Sequence, residues 1–529
     1  MDIDICGLHV APRLQLAKAH PMTPGLRPKC YGRQRSWSTP VVCSFGLVIL
    51  AGYLLTAEQF AEVWPQYFII HMSYFLILLG WRLLSPRIGR SDLVHWTIFS
   101  ALIIGYPTQY YLLTLLARVP PEYLPLPLDP AYSSDLSLQL RGHEMALLGL
   151  AACVIGRLVI LALPSIRPAP PRARPHLPRE VMILLLVTGC MLTVVTAVLM
   201  GMFDIGLMGA ASVRLPYRLG GWVYYVQTAF LICLFLFLIA EAEATGYQRL
   251  YAMATACFVA YLLIHQAVSG SRGFLWIGLI QLWVCRFLRG TRVRWKLRWA
   301  LVAVVAGLVM YPLLTEYRML RATGKLSISD AAGWVAHERT QTAVSGMELS
   351  RSALAALLRP PGGQSMWIVL SVPPDGGVLA ATRHFLMDPE RTFGTVFTQD
   401  VGAQRNVLNY QMAPGILGAL YVIGGSVACF WGILLVIVCC GLMWRRIIVS
   451  SRDPINCVAA SQLLWLCLLL AQEGDLGAMP KATLAIGISL LVCHSVSRVV
   501  GVPWRSQVNG PAWSVRRKLR PTVAVPYSG

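Results

Sequence analysis

Long apolar runs separated by short polar segments dominate this 529-residue chain. An α-helix needs about 20 mainly apolar residues to cross a hydrocarbon layer of about 30 Å. Backbone groups in lipid must bond within their own segment, and the runs lack the alternation of barrel strands. We therefore predict an all-α polytopic membrane protein with about twelve transmembrane helices, near 41–57, 64–84, 93–117, 144–163, 180–202, 221–240, 249–267, 274–288, 299–315, 415–443, 457–472 and 482–497.

Composition supports this class, because 56% of the residues are hydrophobic and only 13% are charged. A large soluble protein with buried core helices would not contain so many apolar runs. None of the fourteen cysteines falls in a segment predicted to face outward, and none shows zinc-ligand spacing. We therefore expect neither a disulfide scaffold nor a structural zinc site.

The net charge of +21 predicts orientation rather than a nucleic-acid surface. Six Lys or Arg residues precede Pro40, six lie in 286–298 and six follow Ser497. If the spans alternate from a cytoplasmic N-terminus, these basic groups all face inward, as in most bacterial membrane proteins. Five parts are predicted: a basic cytoplasmic segment (1–40), helices 1–9 (41–315), a large periplasmic loop (316–411), helices 10–12 (412–497) and a basic cytoplasmic tail (498–529). We expect no binding to nucleic acid.

Five arginines depart from this inward bias of basic residues, because they fall on the predicted outer side near the ends of spans. One lies in the short turn "SGSRG", where two glycines allow a tight reversal and two serines add hydroxyl groups. Guanidinium groups beside the free N–H groups of a helix start form an anion site. The alternative is that these arginines contact lipid phosphates. The five are Arg214, Arg218, Arg272, Arg318 and Arg321.

The 316–411 loop is the only long segment outside the predicted spans, and its capping signals predict helices lying over the mouth of the protein as a lid. It carries most of the outward groups able to transfer a proton. His384, Asp388 and His337 are the candidate general bases. Downstream, thirty mostly apolar residues exceed one straight span, which predicts either a tilted helix or a break at Gly424–Gly425. The glycines of this segment predict a close-packing face.

Two segments, "SGSRGFLWIGLIQLW" and "APGILGALYVIGGSVACFWGILL", flank the large loop. Together they resemble the bacterial oligosaccharide repeat-unit polymerases, the Wzy-type O-antigen and exopolysaccharide polymerases, over roughly residues 200 to 445. The resemblance implies a GT-C-like architecture shared by polymerases and ligases. One position departs from the family pattern, because Ala419 stands where relatives often carry an acidic residue before "LY".

The resemblance also implies an activity. Such enzymes polymerise repeat units carried on undecaprenyl pyrophosphate into O-antigen, capsule or exopolysaccharide, at the periplasmic face of the inner membrane. The five arginines would bind the diphosphate, and His384, Asp388 or His337 would deprotonate the acceptor hydroxyl. We expect the lipid-linked oligosaccharide and the membrane as partners, with a chain-length regulator and a flippase of the same pathway as further candidates.

Two other readings stay open. An O-antigen ligase-like transferase would have a similar architecture but a different acceptor. A flippase or other transporter would show two related halves and broken helices, and no repeat is evident in the sequence. No cofactor and no metal is expected, because the outward segments contain no Asp-x-Asp and the chain contains no nucleotide-binding motif.

Overall fold

The computed structural model describes residues 38–86, 88–116, 135–164, 176–203, 205, 216, 219–269, 271, 274–290, 369–370, 415–449, 453–473 and 478–501. The helices are α1 Ser38–Thr56, α2 Trp64–Leu84, α3 Leu93–Gly105, α4 Pro107–Leu116, α5 Leu136–Ala162, α6 Arg179–Met202, α7 Leu219–Thr245, α8 Gln248–Ser269, α9 Phe274–Arg289, α10 Gly415–Ile448, α11 Pro454–Glu473 and α12 Ala478–Val500. Within these ranges, nine helical segments are long and apolar enough to cross a membrane. The predicted helical membrane-protein class is therefore confirmed. The count of twelve spans stays a prediction, because 299–315 lies outside the described residues.

The first two helices form an antiparallel hairpin that closes through a 3₁₀ turn, Ala57–Val63. Arg82 near the end of α2 donates to Thr39 at the start of α1, over 2.9 Å. At the other end, the hydroxyls of Thr56 and Tyr67 are 2.5 Å apart. These contacts define two ends of the bundle. We call the end with Thr39 and Arg82 the basal end, and the end with Thr56 and Tyr67 the distal end.

Exposed leucines on the outside of the bundle contrast with small residues at its helix contacts. Leu76 and Leu83 on α2 are 68% and 71% exposed, as expected of side chains that face lipid. Inside, Gly156 of α5 lies so close to α10 that an added Cβ would be 2.6 Å from Ile437. Small residues let neighbouring helices approach closely where apolar burial gives no net drive for association.

Helix α10 breaks at Gly424 and Gly425, which is one of the two alternatives that the length of the apolar run predicted. Gly425 has φ +64° and ψ −153°, a conformation available essentially to glycine alone. The Sγ of Cys429 lies 3.3 Å from the carbonyl oxygen of Leu417. A straight helix would separate residues 417 and 429 by about 18 Å. The nine residues before the break therefore fold back against the rest of α10.

The fold-back places the start of α10 inside the bundle. Leu417 packs on Gly149 in the middle of α5, whereas Ile437 packs on Gly156, closer to the basal end. The 24 residues from Gly425 to Ile448 span about 36 Å and suffice to cross the membrane alone. The predicted close-packing role of the two glycines at the break is wrong. A Cβ added at Gly425 would meet nothing within 4 Å, and Gly424 is exposed.

A second irregularity lies in α7, where residues Val226–Phe230 form a π-helical turn. Such turns carry one extra residue and occur often at functional sites. The turn lies on the distal side of α7, and the 15 residues after it, Leu231–Thr245, are almost all buried from the first to Ala242. The π turn packs against α6 and α12.

Candidate functional site

The proposed diphosphate ligands and bases all lie outside the described residues. They are Arg214, Arg218, Arg272, Arg318, Arg321, His337, His384 and Asp388. The structure does describe both flanks of the "SGSRG" turn. Ser269 ends α8 and donates to the carbonyl oxygen of His265 over 2.7 Å, and the N–H of Ser271 donates to the Ser269 hydroxyl over 3.2 Å. The serine hydroxyl therefore caps the end of α8 where the turn begins.

Two polar side chains are buried directly beneath this turn. His265 and Gln266 are 2% and 8% exposed. Among the residues that the structure describes, neither the Nδ1 of His265 nor the Oε1 of Gln266 finds a hydrogen-bond partner. The His265 ring lies against Phe274, the first residue of α9, with ring centroids 3.7 Å apart. Polar atoms left unpaired inside a bundle cost free energy, so their retention needs a reason.

A third buried polar group lies in the π turn of α7. Gln227 is fully buried, and its backbone carbonyl accepts a hydrogen bond from the hydroxyl of Tyr261 on α8. Its Oε1 lies 2.5 Å from the hydroxyl of Thr196 on α6. Its Nε2 lacks a partner within the described part of the chain. Tyr261 is one helical turn from His265, so these groups form one set, which we call the glutamine cluster: Thr196, Gln227, Tyr261, His265 and Gln266.

The unpaired amide atom of Gln227 does not depend on how its side chain is turned. The hydroxyl of Thr196 has a single hydrogen, and it already has the carbonyl oxygen of Leu192 at 2.6 Å. With the amide reversed, Gln227 would donate to Thr196, and Thr196 would donate to Leu192. The two amide orientations are alternatives in any structure without visible hydrogens. In either orientation one amide atom, a donor or an acceptor, stays without a partner.

A second polar set, the tyrosine–histidine cluster, connects α1, α2, α4 and α5 in the distal half. It consists of Thr56, Tyr67, His71, Tyr74, Tyr111 and His143, all buried. The Nδ1 of His71 lies 2.6 Å from the carbonyl oxygen of Tyr67, which can only accept. A neutral His71 therefore carries its hydrogen on Nδ1, and its Nε2 accepts from the hydroxyl of Tyr111, 2.6 Å away.

His143 has the same tautomer by a similar argument. The hydroxyl of Tyr74 donates its one hydrogen to the carbonyl oxygen of His143, over 2.8 Å. The Tyr74 oxygen is 3.3 Å from the Nδ1 of His143, which must then be the donor in that contact. The rings of His71 and His143 lie 5.6 Å apart. The cluster thus holds two imidazoles with their basic Nε2 atoms directed away from the backbone carbonyls.

Charged groups, in contrast, are paired at the basal end. Arg157 of α5 forms a buried ion pair with Asp92 at the start of α3, and its other nitrogen lies 3.4 Å from the Nδ1 of His95. Arg289 forms an ion pair with Glu243, 2.9 Å apart, at the same end, and the Nδ1 of His176 lies 2.8 Å from the carboxylate of Glu241. These contacts connect segments that are distant in sequence.

The start of α10 lies beside the tyrosine–histidine cluster. The N–H of Leu417 donates to the hydroxyl of Tyr106 over 2.9 Å, which satisfies one of the free N–H groups of the first turn. Ala419, at the position where the resembling family often has an acidic residue, is 0% exposed. An uncompensated carboxylate would be strongly disfavoured in this packed environment.

Among the residues described, no three His, Cys, Asp or Glu side chains come close enough to hold a metal ion. The expected metal independence stays a prediction. The chain as a whole matches no protein-family model, no curated protein and no solved structure. Function must therefore be argued from the sequence motifs and from the buried polar groups.

Sequence reasoning singled out the "SGSRG" turn but missed most of the polar groups beneath it. His71 and His265 were visible as polar interruptions of apolar runs. Gln227 and Gln266 carry no motif, and an isolated amide in an apolar run can just as well face a neighbouring helix for packing. The signal that could have found them is their shared depth, because each lies roughly two to three helical turns or less from the distal end of its span.

Proposed function

We propose that this chain polymerises lipid-linked oligosaccharide repeat units into a surface polysaccharide, as a glycosyltransferase of the bacterial inner membrane. In this proposal the basal end faces the cytoplasm and the distal end faces the periplasm. The orientation rests on the basic residues of 286–298 and of the two terminal segments, which all adjoin basal helix ends. The termini would then both be cytoplasmic.

The reaction requires two kinds of protein group, a base and cations. The oxygen of an acceptor sugar hydroxyl attacks the anomeric carbon of the donor glycan. The bond from that carbon to the diphosphate oxygen breaks, and the undecaprenyl diphosphate leaves with the bonding electrons. A base takes the hydroxyl proton, and cations stabilise the departing diphosphate. We assign the cations to Arg272, Arg318, Arg321, Arg214 and Arg218, and the base to His384, Asp388 or His337. The sugar–diphosphate bond supplies the driving force.

One observation carries the proposal furthest: the "SGSRG" turn follows a helix end whose buried face holds unpaired hydrogen-bonding groups. His265, Gln266 and Gln227 lie within about 12 Å of the end of α8, measured along the helix from Ser269 to Tyr261. A glycan transferase needs both an anion site and neutral hydrogen-bonding groups for sugar hydroxyls. The resemblance supplies the first requirement and the glutamine cluster supplies the second.

A flippase for the same lipid-linked sugar is the second candidate, and the break in α10 favours it. Broken helices whose half-helix ends lie near the middle of the membrane are typical of secondary transporters. The first turn of α10 is such an end, because Leu417 packs at the level of Gly149. The same feature suits an enzyme that admits a lipid-linked substrate from the side. The polymerase and the flippase predict different products in a strain that lacks this protein.

The decisive experiment deletes the gene and displays the surface glycans of the strain on a gel. A polymerase predicts loss of the ladder, with single repeat units still exported and attached. A ligase-like transferase predicts free lipid-linked polymer instead, and a flippase predicts loss of every exported repeat unit. An unchanged ladder would contradict all three readings.

The proposed role of Arg272 is tested in the same strain. Arg272→Ala should abolish polymer while leaving the amount of protein in the membrane unchanged. Arg272→Lys should recover little, because an ammonium group cannot bind a diphosphate in the bidentate way of a guanidinium group. Arg249→Ala is the matched control, since Arg249 is exposed at the basal end of α8, the helix that precedes the turn in the sequence. Full activity of Arg272→Ala would remove the diphosphate assignment.

A further inference from the structure

The strongest signal outside the motifs is the coincidence of three unpaired polar atoms in one part of the bundle. They belong to Gln227 of α7 and to His265 and Gln266 of α8. All three side chains are more than nine-tenths buried. In a membrane-spanning bundle each unpaired group costs more free energy than it would at a protein surface, because no bulk water is there to form the missing hydrogen bond. His265 and Gln266 are adjacent on α8, and Gln227 lies on α7 where the hydroxyl of Tyr261 of α8 donates to its backbone carbonyl, so all three belong to the contact between α7 and α8.

We propose that the glutamine cluster binds the hydroxyl groups of an uncharged sugar residue. The inference rests on the proposed function for the identity of the glycan. Its chemistry follows from the cluster itself. Amides supply both donors and acceptors, and the imidazole of His265 supplies either. Sugar hydroxyls donate and accept in the same way, so they satisfy both amide orientations of Gln227.

The members of the cluster that the structure describes are all uncharged, which favours an uncharged ligand. They are Thr196, Gln227, Tyr261, His265 and Gln266. A diphosphate would need cations or several directed N–H groups, and an acceptor such as the Oε1 of Gln266 would repel it. A cationic ligand would need a carboxylate. Neutral polyol chemistry fits the groups that are present.

Two surrounding features suit a sugar. The ring of Tyr261 lies 5.9 Å from Phe274 and the ring of His265 lies 3.7 Å from it, so flat apolar faces border the polar atoms. Gln227 lies in the π turn of α7, and its backbone carbonyl accepts from the hydroxyl of Tyr261. That bond fixes Tyr261, which in turn fixes the position of the cluster on α8. The site is thus prepared before the ligand arrives.

The position is that of the sugar nearest the lipid carrier. His265 lies about 6 Å, along the helix, below Ser269 at the end of α8. A sugar at this depth would have its diphosphate on the same side as the lipid headgroups. We therefore place there the first sugar of a repeat unit, the one attached to the carrier, and place the rest of the glycan beyond the distal end.

The test measures saccharide binding without lipid or phosphate. Repeat-unit oligosaccharides are released by partial hydrolysis of the producing strain's own surface polysaccharide. They are titrated into the purified full chain in lipid nanodiscs, and the apparent melting temperature is followed. The protein should be stabilised in proportion to ln(1 + [L]/Kd). Inorganic pyrophosphate is titrated in parallel as a probe of the anion site.

Gln227→Met and Gln266→Met remove the amides at nearly constant volume. Each should weaken oligosaccharide binding roughly tenfold, as expected for one hydrogen-bonded group lost from a buried site, and should leave pyrophosphate binding unchanged. The matched control is Gln281→Met/Gln462→Met, which replaces a buried amide pair joined over 3.3 Å outside the cluster. The control should bind the oligosaccharide like the wild type.

The outcomes separate this site from the proposed function. The proposed site is overturned if the wild type does not bind the oligosaccharide. It is also overturned if both cluster variants bind the oligosaccharide as tightly as the wild type does. Equal weakening by the control pair also overturns it, because the effect would then be a general one of amide removal. The gene-deletion ladder is independent of these results, so a polymerase with an unaffected cluster and a saccharide-binding protein with no polymerase activity are both recognisable.

Discussion

The two ends of the bundle solve the problem of burying polar groups in different ways. At the basal end buried charged groups of opposite sign meet, as Asp92 does with Arg157. In the distal half they are uncharged, and hydroxyls, imidazoles and amides meet one another. The tyrosine–histidine cluster satisfies its groups internally, whereas the glutamine cluster leaves three atoms unpaired.

The difference suggests separate roles for the two kinds of buried group, one in stability and the other in ligand binding. A buried ion pair is strongly disrupted when one partner is lost, yet replacing both partners is tolerated. Such pairs therefore serve the bundle itself. Neutral groups with spare hydrogen-bonding capacity contribute less to stability but can exchange partners. Because the proposed reaction takes place at the distal end, distal variants should lower activity more than stability. Basal variants should lower stability more than activity.

The largest effect on stability is expected from the basal ion pair. Arg157→Met leaves Asp92 buried without a partner and should lower the free energy of unfolding by about 3–5 kcal/mol. Asp92→Leu/Arg157→Met should recover most of that loss, because no charge is left uncompensated. Thermal unfolding in detergent measures both. If the double variant were as unstable as Arg157→Met, the loss of stability would not come from an uncompensated charge on Asp92.

The tyrosine–histidine cluster should be less sensitive. Tyr111→Phe removes the donor to the Nε2 of His71 and leaves that nitrogen unpaired, at a cost of about 1–3 kcal/mol. Tyr53→Phe is the control, since Tyr53 stacks on the same rings and is only partly buried. Unfolding of the two variants side by side gives the contribution of the hydroxyl. Equal stability of Tyr111→Phe and Tyr53→Phe would argue against the assigned hydrogen bond.

Variants at the break in α10 distinguish the free-energy cost of backbone strain from that of side-chain packing. Gly425→Ala should cost about 1–3 kcal/mol through φ alone, because the added methyl group would touch nothing. Gly424→Ala is the natural comparison, since Gly424 is exposed and has a negative φ of −165°. It should cost less than Gly425→Ala in the same thermal assay. A mild Gly425→Ala would mean that the backbone at the break relaxes.

The smallest effect concerns acid sensitivity at the distal end. Asp135 caps α5 by accepting from the N–H of Leu138 over 3.0 Å, and this bond lowers the pKa of its carboxyl. The stabilisation is thus present above the ordinary pKa of Asp and is lost as the pH falls through the lowered value. Asp135→Asn keeps an acceptor but cannot titrate. Its melting temperature should vary less than that of the wild type below about pH 4; an identical pH profile would contradict the cap.

The sequence predicted the helices because each long apolar run has one solution in lipid. The run before Trp444 was too long for one straight span, and the sequence left a tilted helix and a break at Gly424–Gly425 as alternatives, of which the structure has the break. It did not predict that the first half would fold back, because that depends on Leu417 reaching Gly149, a contact between segments 268 positions apart. The glutamine cluster was missed for a similar reason. Gln227 and Gln266 acquire meaning only when α7 and α8 are side by side.

The π turn in α7 also affects how this chain should be aligned with others. One extra residue rotates everything before it by about 100° relative to the rest of the helix. A homologue with a regular α-helix here would need a one-position gap between Leu219 and Leu231 to present the same faces. An ungapped comparison would pair lipid-facing positions with interior ones and would hide the kinship of the two chains.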